Sequence, residues 1–354
     1  MSIPIIDARA LLTTRLVAVY KEMNVPTTFL MSFFPMMEAM TQKVSIAVRR
    51  GTELVAVDVY RYSEGNRNEQ TRSSEKMIIP PLYHEYLTAN EHELYDVVVT
   101  SLMDGKDTYF VELVQEQAEA LLQLRYKIER ACELQCAQVL ETGIVQLAAG
   151  ENIDFGRKAA SLVDKTAGNY WADPGVNPYT DLENGCKFLR ETGKASGGTF
   201  DGIFGEEALN DFLNNPIVKE RADIRRIFLD EVRPPERTNG AAYHGQVTVG
   251  SYRVNIWTYP QVYEDANGDT VYYINPKKVT LLPPPEMSKH KLACAAVPQL
   301  IGANGTVPQK GRYLIQEFVD ERQTSHEMHI KSAPVAVPVA IDQIYTVQVV
   351  EETP

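Results

Sequence analysis

The chain has 354 residues, a formal net charge of −12, 44% hydrophobic and 23% charged residues. That length can bury a sizeable core in two or three compact units, and the composition excludes collagen-like, low-complexity and disulfide-scaffold classes. No stretch approaches the ~20 apolar residues of a membrane span, and the acidity repels both nucleic-acid phosphates and anionic membranes.

The first residues, MSIPIIDARALLTTRL, have neither a basic leader nor a continuous apolar run, so no secretory signal is expected. Residues 1–42 are apolar and aromatic but poorly periodic, with three Phe and three Met between Thr27 and Met37. Such a segment must bury itself, either on its own domain or on a neighbouring subunit. The sequence leaves both open. In the second case Phe29, Phe33 and Phe34 are the contact candidates.

Val44, Ile46 and Val48, then Val55, Val57 and Val59, alternate with polar residues and predict strands. Residues 63–76 contain no large apolar side chain, and Met77–Tyr83 reads as extended again. The pattern predicts a long hairpin whose tip has no core, which is marginal in isolation. Its Glu64, Arg67, Glu69, Arg72, Glu75 and Lys76 offer charges of both signs to a partner.

Residues 107–149 carry Phe110, Leu113, Val114, Ala118, Leu121, Leu124, Ile128, Ala131, Cys132, Val139, Gly143 and Leu147, mostly three or four apart, without a proline. This predicts one long amphipathic helix, with Asp107 able to cap its start and Gly150 past its end. The heptads drift, so a single helix laid across a sheet is expected rather than a coiled coil.

Further on, Ile153–Gly156 starts a short strand and Trp171–Pro178 is a loop. Thr180 or Asp181 is expected to cap a helix ending near Glu191. Thr199–Phe204 is a strand, while Glu206–Leu213 and Pro216–Ile227 are short helices. After a loop at 230–246, Arg253–Tyr259 and Thr270–Ile274 are strands joined by the Glu264–Asp269 turn, where Asn267-Gly268 supplies the positive φ a hairpin needs. Lys278–Leu282 is a further strand. Residues 313–333 and 335–350 are extended, the latter confined to edges by Pro334 and Pro338. Helices and strands fall in separate runs, so the class is α+β.

Motifs that carry chemistry are absent from the sequence. Cys132, Cys136, Cys186 and Cys294 form no Cys-x-x-Cys and read as reduced core residues. His326 and His329 lack zincin spacing and, on a strand, point to opposite faces. No phosphate loop, dinucleotide fingerprint or nucleophile elbow occurs. No catalytic residue, cofactor or metal is therefore expected. Two classes stand: a self-assembling structural subunit, or a cytoplasmic α+β enzyme with no recognisable motif. The apolar arm, the coreless hairpin tip and the overlong helix favour the first.

Several short motifs, in order, resemble the lambda-type major capsid protein E family of tailed bacteriophages. They are Thr28-Phe29-Leu30 with Phe34-Pro35, Ile79-Pro80-Pro81-Leu82-Tyr83, and Asp154-Phe155-Gly156-Arg157. Trp171 with Pro178 and Asp181-Leu182 follows, then Tyr263, Asp265 and Gly268, Tyr273-Ile274 with Pro276, Val279, Ser332 and Val337-Pro338-Val339. The resemblance covers nearly the whole chain and implies the Hong-Kong-97-type α+β capsid fold. It implies an N-terminal arm at 1–50, an extended hairpin at 51–85, and a peripheral domain at 86–170 holding the 107–149 spine helix. An axial domain at 171–312 and C-terminal strands at 313–354 complete it. It further implies hexamers and pentamers in an icosahedral head shell, assembled in the bacterial cytoplasm. Implied partners are further copies of the chain, a scaffolding protein in trans, a portal protein, a possible decoration protein, and packaged DNA held without sequence-specific contacts.

Overall fold

The computed structural model describes residues 25–48, 74–90, 109–147, 152–225, 239–265, 267–300, 305–320 and 325–352. The chain enters through a 3-10 turn, Leu30–Phe33. β1 (Met36–Glu38) and β2 (Val44–Val48) follow, and β2 pairs antiparallel with β3 (Ser74–Ile78). The first predicted strand thus forms where its alternation starts. The valines at 55–59 and the hairpin tip lie outside the described residues. β4 is Tyr83–Asn90.

α1 spans Tyr109–Glu141, which is 33 residues and roughly 50 Å at 1.5 Å per residue. It stops eight residues before the end the periodicity predicted, and Gly150 is not its stop signal. Gly143 takes a φ of 78°, the left-handed conformation that ends helices. The Arg157 guanidinium donates to the Leu140 and Glu141 carbonyls at 2.8 and 3.1 Å, satisfying acceptors that a helix end leaves open. The chain then turns into β5 (Ile144–Val145), paired with β6 (Ile153–Asp154), and β7 (Leu162–Asp164).

α2 runs Pro178–Glu191. Its cap is Asn177, not Thr180 or Asp181: the Asn177 side chain accepts the Tyr179 N–H at 3.1 Å, and Pro178 fits the first helical position, where no N–H is needed. β8 (Thr199–Phe204), α3 (Glu206–Asn214) and α4 (Pro216–Arg225) follow. β9 (Ala242–Val249) begins inside the segment read as a loop. β10 (Tyr252–Thr258) is ended by Pro260 and does not form the predicted hairpin. The Glu264–Asp269 turn instead joins β11 (Val262–Glu264) to β12 (Thr270–Tyr272), with the Asp265 carboxylate accepting the Asn267 and Asp269 N–H groups.

The chain closes through β13 (Lys278–Leu282), β14 (Lys291–Cys294), β15 (Val297–Leu300) and β16 (Thr306–Gln309). β17 (Leu314–Asp320), β18 (Ser325–Ser332), β19 (Pro334–Val337) and β20 (Tyr345–Gln348) end it. β19 lies at an edge, as Pro334 demands. β20 does not: it sits inside a six-stranded sheet, because Pro338 falls before it and every β20 N–H is available to the ladder.

That mixed sheet has the order β7-β20-β13-β8-β10-β9. α2 and α3 supply Leu182, Leu189 and Phe212 to a closed core that also holds Phe200, Phe204, Val254, Val279 and Leu281. A second core gathers the C-terminal half of α1, from Ile128 to Leu140, against Trp257, Ile274, Leu292 and Ala336. A smaller third core lies between β2, β3, β14 and β19, around Val44, Ile78, Ala293 and Val335.

Candidate functional site

The N-terminal aromatic segment lies in the second core, where α1 and the end of β10 form an apolar trough. Phe29 is 3% exposed and stacks on Tyr259 with ring centroids 5.5 Å apart, while Phe33 meets its ring edge-on at 5.6 Å. The Phe34 ring lies tilted against His290, with centroids 5.3 Å apart. From α1, Glu133 accepts the Leu30 and Met31 N–H groups at 2.7 and 3.0 Å. Of the two alternatives the sequence leaves open, the structure shows burial on the same chain: the surfaces of Phe29, Phe33 and Phe34 are consumed inside it. Burying each phenyl is worth about 2–3 kcal/mol, which an intramolecular trough supplies without association.

The exposed methionines begin two residues later, at Met36. Met36, Met37 and Met40, with Met77, Ile79 and Leu82 from the β3–β4 segment, are 43–73% exposed. Among the described residues β1 pairs only with β14, so its outer edge is open. A groove of about 640 Å³ runs between the β2–β3 ribbon and the β15–β16 ribbon, lined by Met40, Met77, Pro298 and Pro308 with Thr41, Gln42, Lys43 and Ser45. The groove brings the exposed Met40 and Met77 together, and apolar exposure of this kind marks an interaction surface. The sequence signal was Met36-Met37-Glu38-Ala39-Met40, which merged with the buried aromatics just before it.

A second exposed face belongs to the sheet β17-β18-β4. Its inner side packs on α1 through Met328 and Ile330, with Gln135 donating to the Tyr83 hydroxyl at 2.7 Å and Lys127 paired to Glu85 at 2.7 Å. On its outer side Tyr86 and His329 stack at 5.3 Å and Phe318 meets His329 edge-on at 5.1 Å. Glu327 lies 3.0 Å from His329 Nε2, and His329 Nδ1 lies 2.8 Å from His84 Nε2. The carboxylate can only accept, so His329 Nε2 donates to it, and the Nδ1–His84 contact is a hydrogen bond whose donor is set by the tautomers of the two rings. Burial, Lys331 and His329 hold the His84 pKa below its ordinary value. His84 and His329 are 245 positions apart, so no local spacing in the sequence signals the pair.

Of the hairpin charges, Glu64, Arg67, Glu69 and Arg72 lie outside the described residues. Glu75 and Lys76 fall on β3, opposite Ala47 and Ile46. No group of three His, Cys, Asp or Glu among the described residues could hold a metal. The four cysteines are free and buried, and burial pushes the Cys132 and Cys186 thiols up to about 12, far from a reactive thiolate. A cleft of about 200 Å³ lies between α3 and the end of β10, where His244 Nε2 is 2.8 Å from the Thr258 hydroxyl. No helix among the described residues is long and apolar enough to cross a membrane.

Comparison with known proteins agrees with this architecture. No curated protein matches the sequence. A prophage protein of Escherichia coli CFT073, described as its capsid protein, has a similar fold: TM-score 0.59 at 15% identity, covering 96% of this chain and 99% of that one. A phage-related protein of Bordetella bronchiseptica RB50 (TM-score 0.49, 11% identity, 96% of each chain) is more distant. So is the capsid of Ralstonia phage GP4 (TM-score 0.45, 11% identity, 94% of each chain). The family model described as phage major capsid protein E matches residues 13–349. The chain therefore belongs to the phage major capsid protein E family and is a shell-forming subunit of an icosahedral phage head.

Proposed function

We propose that the chain forms hexamers and pentamers of a head shell through the methionine-rich surface around β1, β2 and β3. The observation that carries this reading is the run of Met36, Met37, Met40, Met77, Ile79 and Leu82 left open on a chain whose other cores are closed. The hairpin at 51–85 then lies across the adjacent subunit, with Glu64, Arg67, Glu69, Arg72, Glu75 and Lys76 setting register. Exposed ion pairs are each worth only about 0–1 kcal/mol, but they recur at every copy. The unit built on the six-stranded sheet is the axial domain, facing the local symmetry axes.

In this reading a scaffolding protein acts in trans, a portal protein occupies one vertex, and a decoration protein has the outer surface available. DNA is enclosed without sequence-specific contacts, since a net charge of −12 repels phosphate. Assembly takes place in the host cytoplasm.

The test is the double variant Met40→Glu with Met77→Glu. Both side chains are mostly exposed, at 73% and 67%, so the unassembled chain keeps its melting temperature. Negative-stain microscopy and light scattering are expected to show no shells, because two charges enter the groove of every copy. Normal shells from the double variant would remove this surface from the assembly contact.

A further inference from the structure

The segment Phe29–Phe34 is held at each end by a titratable side chain buried without an opposite charge. At its start stands Glu133, 0% exposed, with one carboxylate oxygen on the Leu30 N–H and the other on the Met31 N–H. The Tyr259 phenol also bonds the carboxylate and, 2.6 Å away, the Thr27 hydroxyl. Tyr273 and the Cys136 thiol complete the titratable surroundings, while Arg130 acts on Tyr273. None of the groups bearing on Glu133 is a cation.

At the other end Phe34 covers His290, which is also 0% exposed. Neither ring nitrogen has a hydrogen-bond partner among the described residues. The charge that reaches it is the Arg157 guanidinium, which opposes a second positive charge. Ser288 ties this end down: its hydroxyl donates to the Phe33 carbonyl at 2.7 Å and accepts the His290 N–H at 3.3 Å. The segment thus forms part of the cover over both side chains.

We propose that Phe29–Phe34 is a proton-neutral latch: closing it discharges Glu133 and His290 together, the carboxylate taking up one proton and the imidazole giving one up to solvent. Open, near pH 5.5, the pair is carboxylate and imidazolium. Closed, it is carboxylic acid and neutral imidazole, so protons and charge balance. Burial supports this assignment by pushing Glu133 up to about 7 and His290 down to about 4. The signs oppose. Glu133 strengthens the closed state fully below its open value near 4.5, and that contribution fades as pH rises to about 7. His290 strengthens it fully above its open value of 6.5, and that contribution fades as pH falls to about 4. Across the overlap the two slopes cancel and the grip on the spine stays level. This goes beyond assembly of the shell: it concerns how each subunit keeps its own N-terminal segment.

The experiment is amide hydrogen exchange at Leu30 and Met31 in the unassembled full chain at pH 5 and pH 7, corrected for intrinsic rates. Wild-type protection is expected to agree within about threefold between the two. Glu133→Gln leaves His290 alone and lowers protection at pH 5 by about tenfold relative to pH 7. His290→Leu leaves Glu133 alone and raises it by about tenfold. Parallel profiles in the three proteins overturn the proposal. Should either variant fail to fold, carbon-13 NMR of the wild type decides. A protonated Glu133 and a neutral His290 at pH 5.5 support the latch, and a charged form of either contradicts it.

Discussion

The core beneath α2 and the surface around β1 to β3 are made of the same kind of side chain and treated in opposite ways. Leu182, Leu189, Phe200, Phe204 and Phe212 are 0–1% exposed, whereas Met36, Met40, Met77, Ile79 and Leu82 are 49–73% exposed. At about 25 cal/mol per Å², leaving such surface in water forgoes stabilisation that a closed domain would collect. The first region is finished by its own chain, and in the proposed reading the second is finished by a neighbour in the shell. The difference is carried by topology as much as by composition. The six-stranded sheet has helices against it, while β2–β3 and β15–β16 are two-stranded ribbons with an open groove between them.

The largest expected effect breaks the closed side. Phe212→Ala removes a ring that meets Trp171, Tyr179 and Phe204 at centroid distances of 5.6–5.9 Å. It is expected to cost about 3–5 kcal/mol in urea unfolding of the unassembled chain. Next, Arg157→Ala uncaps α1 and withdraws bonds to the Ser161 carbonyl and the Thr346 hydroxyl at 3.1 and 2.8 Å. The loss is expected to be about 2–4 kcal/mol by the same measurement, because several buried acceptors lose their donor together. Met77→Ala, on the open side, is expected to change unassembled stability by less than about 0.5 kcal/mol while raising the concentration needed for shells.

These three variants also mark what was legible in the sequence. β8 and β13 form at the residues predicted, since short apolar runs between turns leave little alternative. The end of α1 was not legible. Gly143 and Leu147 continue the helical spacing, and the stop depends on Arg157 reaching back to a carbonyl 17 positions earlier. The placement of Phe29 was undecidable for a similar reason, since its partners Trp257 and Tyr259 are more than 200 residues away. The sequence therefore showed that the arm must be buried, but not where burial ends and the exposed methionines begin.

A further variant sharpens the comparison at the outer face of β17-β18-β4. His84→Ala breaks the hydrogen bond to His329 on a mostly exposed surface, so the cost is expected to stay below about 1 kcal/mol. With the folded pKa of His84 below its ordinary value, its contribution is present above the unfolded pKa and fades as pH falls through the folded one. Thermal melting of wild type and His84→Ala is therefore expected to converge on acidification from pH 7.

The central claim is that the exposed methionines are the shell contact. Methionine oxidation by peroxide, read residue by residue by mass spectrometry on free subunits and on assembled shells, tests it most directly. The account predicts that Met36, Met40 and Met77 oxidise readily in the free chain and become protected in shells, while Met328, 5% exposed, is protected in both. Equal oxidation of Met36, Met40 and Met77 in both states would contradict it.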